Sequence, residues 1–207
     1  MRGTVNRRRF MGTTAAASLS TLAIGATAGS VLTMIPAQAA EFAHALVQKE
    51  KTAAAGKYVP KFFPAKQYET LISLCDTIIP KDEKSGGAVE AGAPEFIDLI
   101  TSENVEYQTQ FGGGLMWLDN HCLDEFGKVY MDCTPEQRKT TLDLIAFRKS
   151  AKTRPELQQG IAFFAVLRNM TCDGFYTSKI GIADLQYIGN TSVHEFPGCP
   201  PVPERQA

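Results

Sequence analysis

Apolar side chains recur at every third or fourth position along most of this chain, and no stretch of useful length alternates between apolar and polar residues. Between residues 66 and 79, for example, Leu71, Leu74, Cys75 and Ile78 fall on one face of a helix with 3.6 residues per turn. A half-buried β-strand would instead show a period of two. The sequence therefore predicts an all-α fold, a small helical domain.

Proline and threonine set most of the predicted helix boundaries. Pro80 ends one helix, because proline has no backbone N–H and its ring clashes with the preceding turn. Thr134 begins another as the N-cap, with Pro135 in the first turn and Gln137 three residues after the cap. Threonine and proline recur at 153–156 and predict a further start there. The predicted helices cover residues 66–79, about 94–100, about 103–126, 134 to about 147 and 153 to about 176.

The rest of the chain is predicted to be non-helical. Residues 40–66 are typical of an extended lead-in, and residues 81–93 of a solvated loop. From Thr177 onward we expect a long irregular C-terminal tail. Residues 112–114 are three consecutive glycines inside a predicted helix, and they have two interpretations. They either break the helix in two or let another backbone approach it closely.

The N-terminus carries the most specific motif of the chain. Arg7 and Arg8 are followed by one residue and then by Phe10, and an uncharged stretch extends to about residue 35. Ala37 and Ala39 then form the small-x-small pattern of a signal-peptidase site. This combination is typical of a twin-arginine (Tat) signal, which takes folded proteins out of the cytoplasm. Residues 1–39 are therefore predicted to be a cleavable Tat signal peptide.

Two other interpretations of residues 1–39 remain open, an ordinary secretory signal and an uncleaved membrane anchor. Repeated glycine, serine and threonine make the stretch less apolar than either would require, which favours the Tat signal. Residues 40–207 then form a single mostly helical domain. The arginines of the signal lie outside this domain, so its net charge is mildly negative. A mildly acidic domain is a poor candidate for binding nucleic acid.

The five cysteines fit an oxidising destination, in which thiols can pair. The number is odd, so at least one thiol stays free or bonds to a partner. Cys75 lies on an apolar helix face and is predicted to be a buried thiol. By proximity in the chain, the simplest pairs are Cys122 with Cys133 and Cys172 with Cys199.

No motif for a cofactor or metal is recognisable in the sequence. The glycine cluster lacks the spacing of a dinucleotide-binding turn, and no two cysteines have the spacing that covalent haem attachment requires. His44, His121 and His194 lie far apart in the sequence. We therefore predict no catalytic, cofactor-binding or metal-binding residue in this chain. Because the Tat route serves proteins that acquire cofactors before export, one explanation is that the chain escorts a cofactor-loaded partner.

Two regions carry a resemblance to a known family. The first runs from Tyr68 to Asp82 (YETLISLCDTIIPKD) and continues with GAVEAGAP at 87–94 and FID at 96–98. The second is DGFYTS at 173–178 with Gly181, LQYIGN at 185–190 and GCP at 198–200. Together they resemble the gluconate 2-dehydrogenase subunit 3 family, over about residues 64 to 200.

The resemblance implies a non-catalytic small subunit of a membrane-associated dehydrogenase complex in the periplasm. In such a complex a large flavin subunit of the glucose–methanol–choline type, which holds FAD, oxidises a sugar or sugar acid. A multihaem cytochrome c then takes the electrons. The small subunit stabilises the flavin subunit and carries it to the Tat translocase. The substrate is left open: gluconate, another polyol, or a glycoside oxidised at its 3-hydroxyl.

The escort hypothesis predicts an apolar surface for the partner, formed by Phe62, Phe63, Phe175, Tyr176 and the C-terminal tail. The alternative for the aromatic turn at 173–178 is packing against the protein's own core. Two other classes of function remain: a stand-alone periplasmic binding protein or enzyme with an unrecognised pocket, and a structural or signalling domain without a dehydrogenase partner.

Overall fold

The computed structural model of the protein describes residues 37–53 and 58–189, and every regular element in these ranges is a helix. The predicted all-α fold is confirmed. Two 3-10 turns, Tyr130–Asp132 and Pro155–Leu157, connect some of the helices. The α-helices are α1 (Ala37–Ala53), α2 (Ala65–Ile78), α3 (Ala88–Ala91), α4 (Ala93–Ser102), α5 (Val105–Phe126), α6 (Pro135–Ile145), α7 (Ser150–Thr153), α8 (Gln158–Tyr176) and α9 (Lys179–Asp184).

Helix α8 is the centre of the domain, because it packs against α1 to α6 and α9. Its sequence supplies buried side chains all around the helix, as expected for a helix with neighbours on every side. Ile161, Phe164, Leu167 and Met170 belong to a single core cluster that extends into the surrounding helices. The hydrophobic core therefore lies around α8.

The extended lead-in predicted for residues 40–66 is wrong over most of its length. Residues 37–53 form α1, and Ala40, Ala43 and Val47 are buried at helical spacing against the rest of the domain. Alanine has the highest helix propensity, and tertiary packing stabilises the short apolar stripe that these residues form. Only residues 58–64 of the described lead-in are non-helical.

Of the two threonine–proline motifs, one begins a helix as predicted and the other does not. Thr134 caps α6 as predicted: its hydroxyl accepts from the N–H of Gln137, whose side chain accepts from the N–H of Thr134. Thr153 is not a cap, because its hydroxyl donates to the carbonyl of Ser150 in the last turn of α7. The central helix begins later, at Gln158, after the second 3-10 turn.

Two other predicted boundaries change, and the structure decides between the two interpretations of the three glycines. The loop predicted for residues 81–93 contains the single turn of α3. The tail predicted from Thr177 onward begins with α9, whose N-cap Ser178 accepts from the N–H of Gly181. The remainder of that predicted tail, residues 190–207, lies outside the described residues. Helix α5 is continuous through residues 112–114, so the glycines do not break it.

Within the described ranges, no helix combines the length and the apolar character that crossing a membrane requires.

Candidate functional site

The residues predicted to direct export lie at or beyond the edge of the described structure. Arg7, Arg8 and Phe10 are outside the described residues. Ala37 and Ala39, the predicted cleavage residues, lie in the first turn of α1. Ala40, directly after the predicted cut, is completely buried.

Of the four aromatic residues predicted to face a partner, two are inside the protein. Phe63 and Phe175 are 3% and 2% exposed. Phe63 packs edge-to-face between Phe62 and Phe111, with ring centroids 4.9 and 5.7 Å away. Phe62 is half-buried, and Tyr176 is exposed. Only Phe62 and Tyr176 therefore contribute surface.

Further exposed apolar side chains follow Tyr176 along the chain. They continue through α9 to the end of the described chain, where Ile188 is 87% exposed. We call the surface that they form the α9 patch, and its members are Tyr176, Ile182, Leu185, Tyr187 and Ile188. An apolar surface of several neighbouring large side chains is characteristic of a protein-binding region. The predicted partner surface included Tyr176 and the C-terminal tail, but the helix within that tail was not predicted, because the segment was expected to be irregular.

Among the residues that the structure describes, Asp98 is the most completely buried charged residue, with no exposed surface. One of its carboxylate oxygens accepts from the hydroxyl of Tyr58 at 2.8 Å and from the N–H of Lys61 at 2.7 Å. The other accepts from the N–H groups of Phe62 and Phe63, at 3.1 and 3.0 Å. Four donors from one segment therefore satisfy this carboxylate, and it anchors residues 58–63 to α4.

The sequence contains a signal for this role that was not recognised. Asp98 is the only charged residue between Phe96 and Ile100, so it lies on a helix that is otherwise apolar there. A carboxylate in such a position must find donors. Burial and the hydrogen bond to Asp98 also raise the pKa of Tyr58, which keeps the phenol protonated as a donor.

A second polar cluster attaches α1 to the domain. The imidazole of His44 stacks on Phe96 and lies 2.9 Å from the hydroxyl of Thr177. That hydroxyl donates to the carbonyl of Asp173, so it accepts from His44 Nε2. Burial lowers the pKa of His44, against smaller opposing contributions from the backbone of Gly174 and the carboxylate of Glu95. These contacts position α1 against α4 and the end of α8.

Glu95 completes the attachment of α1. One of its oxygens lies 2.7 Å from the ammonium of Lys51, and both side chains are largely shielded from water. The other oxygen, Oε2, is buried without a hydrogen-bond partner among the described residues. The ion pair therefore joins α1 to α4 beside the cluster of His44.

The four cysteines of the described range are unbonded thiols. Cys122 and Cys133 are both buried and lie next to each other, but the predicted bond between them is not present. Cys122 instead contacts the hydroxyl of Thr141, and Cys133 donates to the carbonyl of Lys128. Cys172 is a free thiol, and its predicted partner Cys199 lies outside the described residues. Cys75 is fully buried, as predicted.

Within the described part of the chain, no group of three or more histidine, cysteine or acidic side chains could hold a metal ion. The buried polar groups around Asp98 and His44 are used to join elements of the same fold. These features define the class of the protein: a small all-α domain whose exposed apolar surface, rather than an enclosed pocket, is its most prominent candidate site.

The sequence comparison then gives the family. Residues 65–198 match the profile of the family described as gluconate 2-dehydrogenase subunit 3. The chain belongs to that family, and the name of the family indicates a subunit of a dehydrogenase complex. Searches of curated proteins and of solved structures found no match.

Proposed function

We propose that this protein is the non-catalytic small subunit of a membrane-associated, flavin-dependent sugar or sugar-acid dehydrogenase in the periplasm. Its role is to stabilise the large flavin subunit and to carry it through the Tat translocase. FAD and haem c belong to the partner chains, the flavin subunit and a multihaem cytochrome c. The observation that carries the proposal is the family match, which extends over most of the domain.

The α9 patch supports a role in assembly. Burying an exposed apolar side chain of this size contributes about 1.5–3 kcal/mol, so several together favour a stable contact. The patch is continuous with Phe175, which packs edge-to-face on Tyr176 from inside the domain, with ring centroids 5.0 Å apart. Helix α8 therefore supports the patch at its C-terminal end, and we assign the patch to the flavin subunit.

The twin arginines support the export role. A Tat signal on one subunit can export a second, folded subunit only if the two associate before translocation. Tight association in the cytoplasm is therefore part of the proposal, and the small subunit binds its partner before either leaves the cell interior.

The experiment is expression of the flavin subunit with and without this chain, with dehydrogenase activity measured in the periplasmic fraction. Deletion of the chain should remove most of that activity. Replacement of both Arg7 and Arg8 by lysine should leave the flavin subunit in the cytoplasm. The control is Arg2→Lys, which makes the same chemical change outside the twin-arginine pair. Unchanged periplasmic activity after deletion would refute the proposal.

A further inference from the structure

A recess of about 290 Å³ lies between the C-terminal half of α5 and the 3-10 turn that precedes α8. It is distinct from the α9 patch, because the two lie at opposite ends of α8. A helix of 19 residues is about 28 Å long, so the recess and the patch are separated by about that distance. The recess is lined by Trp117, Asn120, His121, Asp124, Glu125, Arg154 and Glu156.

The rim of the recess has an excess of negative charge. Arg154 is its only cation, and its guanidinium lies 2.8 Å from the carboxylate of Glu156. Asp124 and Glu125 are exposed and form no ion pair with any residue of the described ranges. The positive charge of the rim is therefore already neutralised, and two carboxylates are available to a cation from outside.

The floor of the recess is aromatic and closely packed. The indole of Trp117 and the imidazole of His121 are nearly parallel, at 7°, with centroids 4.9 Å apart. The six-membered ring of the indole also lies against Gly160, where a β-carbon would come within 2.3 Å of the ring. The floor is therefore packed closely against α8. His121 Nε2 is buried without a hydrogen-bond partner among the described residues, so one polar group of the floor is unsatisfied.

Exposed apolar side chains extend this surface beyond the recess. Met116 is 60% exposed and Leu123 is 44% exposed, and both are on α5 within one turn of lining residues. A free small cation bound at the rim would leave both in water. A protein surface would cover them while it placed a cation among the carboxylates, and apolar contacts beside a charged rim are typical of interfaces.

We infer that this recess is a second docking point for the dehydrogenase subunit, and that it receives a basic side chain of that subunit. The inference rests on the proposed function. Arginine fits best, because its planar guanidinium can bind two carboxylates at once and can lie against aromatic rings. A partner that contacts both the recess and the α9 patch spans the length of α8, a distance compatible with an interface of ordinary size. Two contacts so far apart fix the orientation of the subunits as well as their affinity.

The experiment compares two variants of the full chain in complex with the flavin subunit. The rim variant removes the carboxylates of the recess: Asp124→Asn, Glu125→Gln and Glu156→Gln. The control variant removes three exposed carboxylates elsewhere: Glu69→Gln, Glu83→Gln and Asp143→Asn. Both variants lose the same charge, so a general electrostatic effect would appear equally in each. Circular dichroism checks that both fold, as the exposure of the changed side chains leads us to expect.

The measured quantity is the dissociation constant at several salt concentrations. We expect the rim variant to bind about tenfold to a hundredfold more weakly at low salt, and to respond less to added salt. The control variant should stay within about twofold of the wild type. Equal weakening in the two variants, or wild-type affinity in the rim variant, overturns the inference. So does a wild-type chain that dimerises alone through the recess.

A different binding result is expected if the proposed function is wrong. In that case the wild-type chain itself would not bind the flavin subunit, whichever carboxylates are present. Binding by the wild type together with undiminished binding by the rim variant refutes only the assignment of the recess.

Discussion

Gly114 of α5 lies against the ring of Phe163 of α8 so closely that a β-carbon at position 114 would come within 2.1 Å of that ring. The contact is matched by a second one in which Trp117 of α5 lies against Gly160 of α8. Each helix thus contributes one glycine and one aromatic ring. The two helices pack closely because each ring occupies the space that a side chain on the other helix would need.

The contact between Gly114 and Phe163 makes the three consecutive glycines inequivalent. Gly114→Ala should destabilise the protein by about 1–3 kcal/mol, because Phe163 is buried and cannot move aside without strain. The control is Gly112→Ala, since a β-carbon there meets nothing within 4 Å. That change should stabilise the protein by about 1 kcal/mol through helix propensity alone. Urea unfolding measures both, and equal effects at the two positions would contradict the packing described.

Asp98 gives a second prediction about stability. In Asp98→Asn an NH2 group, which can only donate, replaces one of the two carboxylate oxygens. This group then faces two donors with which it cannot form hydrogen bonds. We expect the free energy of unfolding to fall by about 2–3 kcal/mol, with residues 58–63 released first. Asp143→Asn is the control, because that carboxylate is exposed and pairs only with Lys139 on the surface, and it should cost less than about 0.5 kcal/mol.

Urea unfolding measures the two aspartate variants, and amide hydrogen exchange of residues 61–63 reports whether this segment opens locally. If exchange at these amides stays as slow in Asp98→Asn as in the wild type, the carboxylate is not what holds them.

The sequence predicted the helices whose boundaries are encoded locally. Pro80 and the capping box at Thr134 act through neighbouring residues, so the ends they predict agree with the structure. Helix α1 was missed because its apolar stripe is short and consists mainly of alanine, which has little hydrophobic contrast. Its helicity is stabilised by burial against α4, a contact between parts of the chain that are distant in sequence.

The surface predictions were wrong for Phe63 and Phe175, and for Phe63 the reason is related. Phe62 and Phe63 are adjacent in an irregular segment, and no periodicity shows which one points inward. Their orientation is set by the hydrogen bonds of their own backbone N–H groups to Asp98, about 35 residues further along the chain. Likewise the recess forms only when the turn at 155–157 comes to lie beside α5. Neither relationship could be found from local patterns.

His44 makes the attachment of α1 sensitive to pH. Burial lowers its pKa below the ordinary 6.5. As the pH decreases, His44 is therefore protonated at a higher pH in the unfolded chain than in the folded chain. The stability of the protein should therefore fall as the pH decreases below about 6.5, until the folded state is also protonated. In His44→Gln this contribution is absent, and the plot of unfolding free energy against pH between about 7 and 5.5 should be flatter. A wild-type profile with the same slope as the variant would show that protonation of His44 is not linked to folding.

The thiols differ in how far the fold protects them, and this gives an order of chemical reactivity. Cys75 has no exposed surface, and burial raises its pKa to about 12, so almost none of it is thiolate near neutral pH. Cys122 is buried as well, and its pKa is raised to about 11. Cys172 is only half-buried. Because the thiolate is the reactive form, alkylation of the folded protein should label Cys172 first among these three and Cys75 last, with rates at least about tenfold apart.

Peptide mass spectrometry after short exposures to iodoacetamide measures that order. The same method tests the predicted bond between Cys122 and Cys133 if the protein is unfolded without a reductant before labelling. In protein recovered from the cytoplasm both should then label fully, as thiols that fold in a reducing environment do. We expect the same full labelling in exported protein, because both cysteines are unbonded thiols in the structure, and labelling that needs a reductant would contradict this. Labelling of Cys75 in the folded state at the rate of Cys172 would contradict the burial described, because a thiol inside the core can react only when the domain opens.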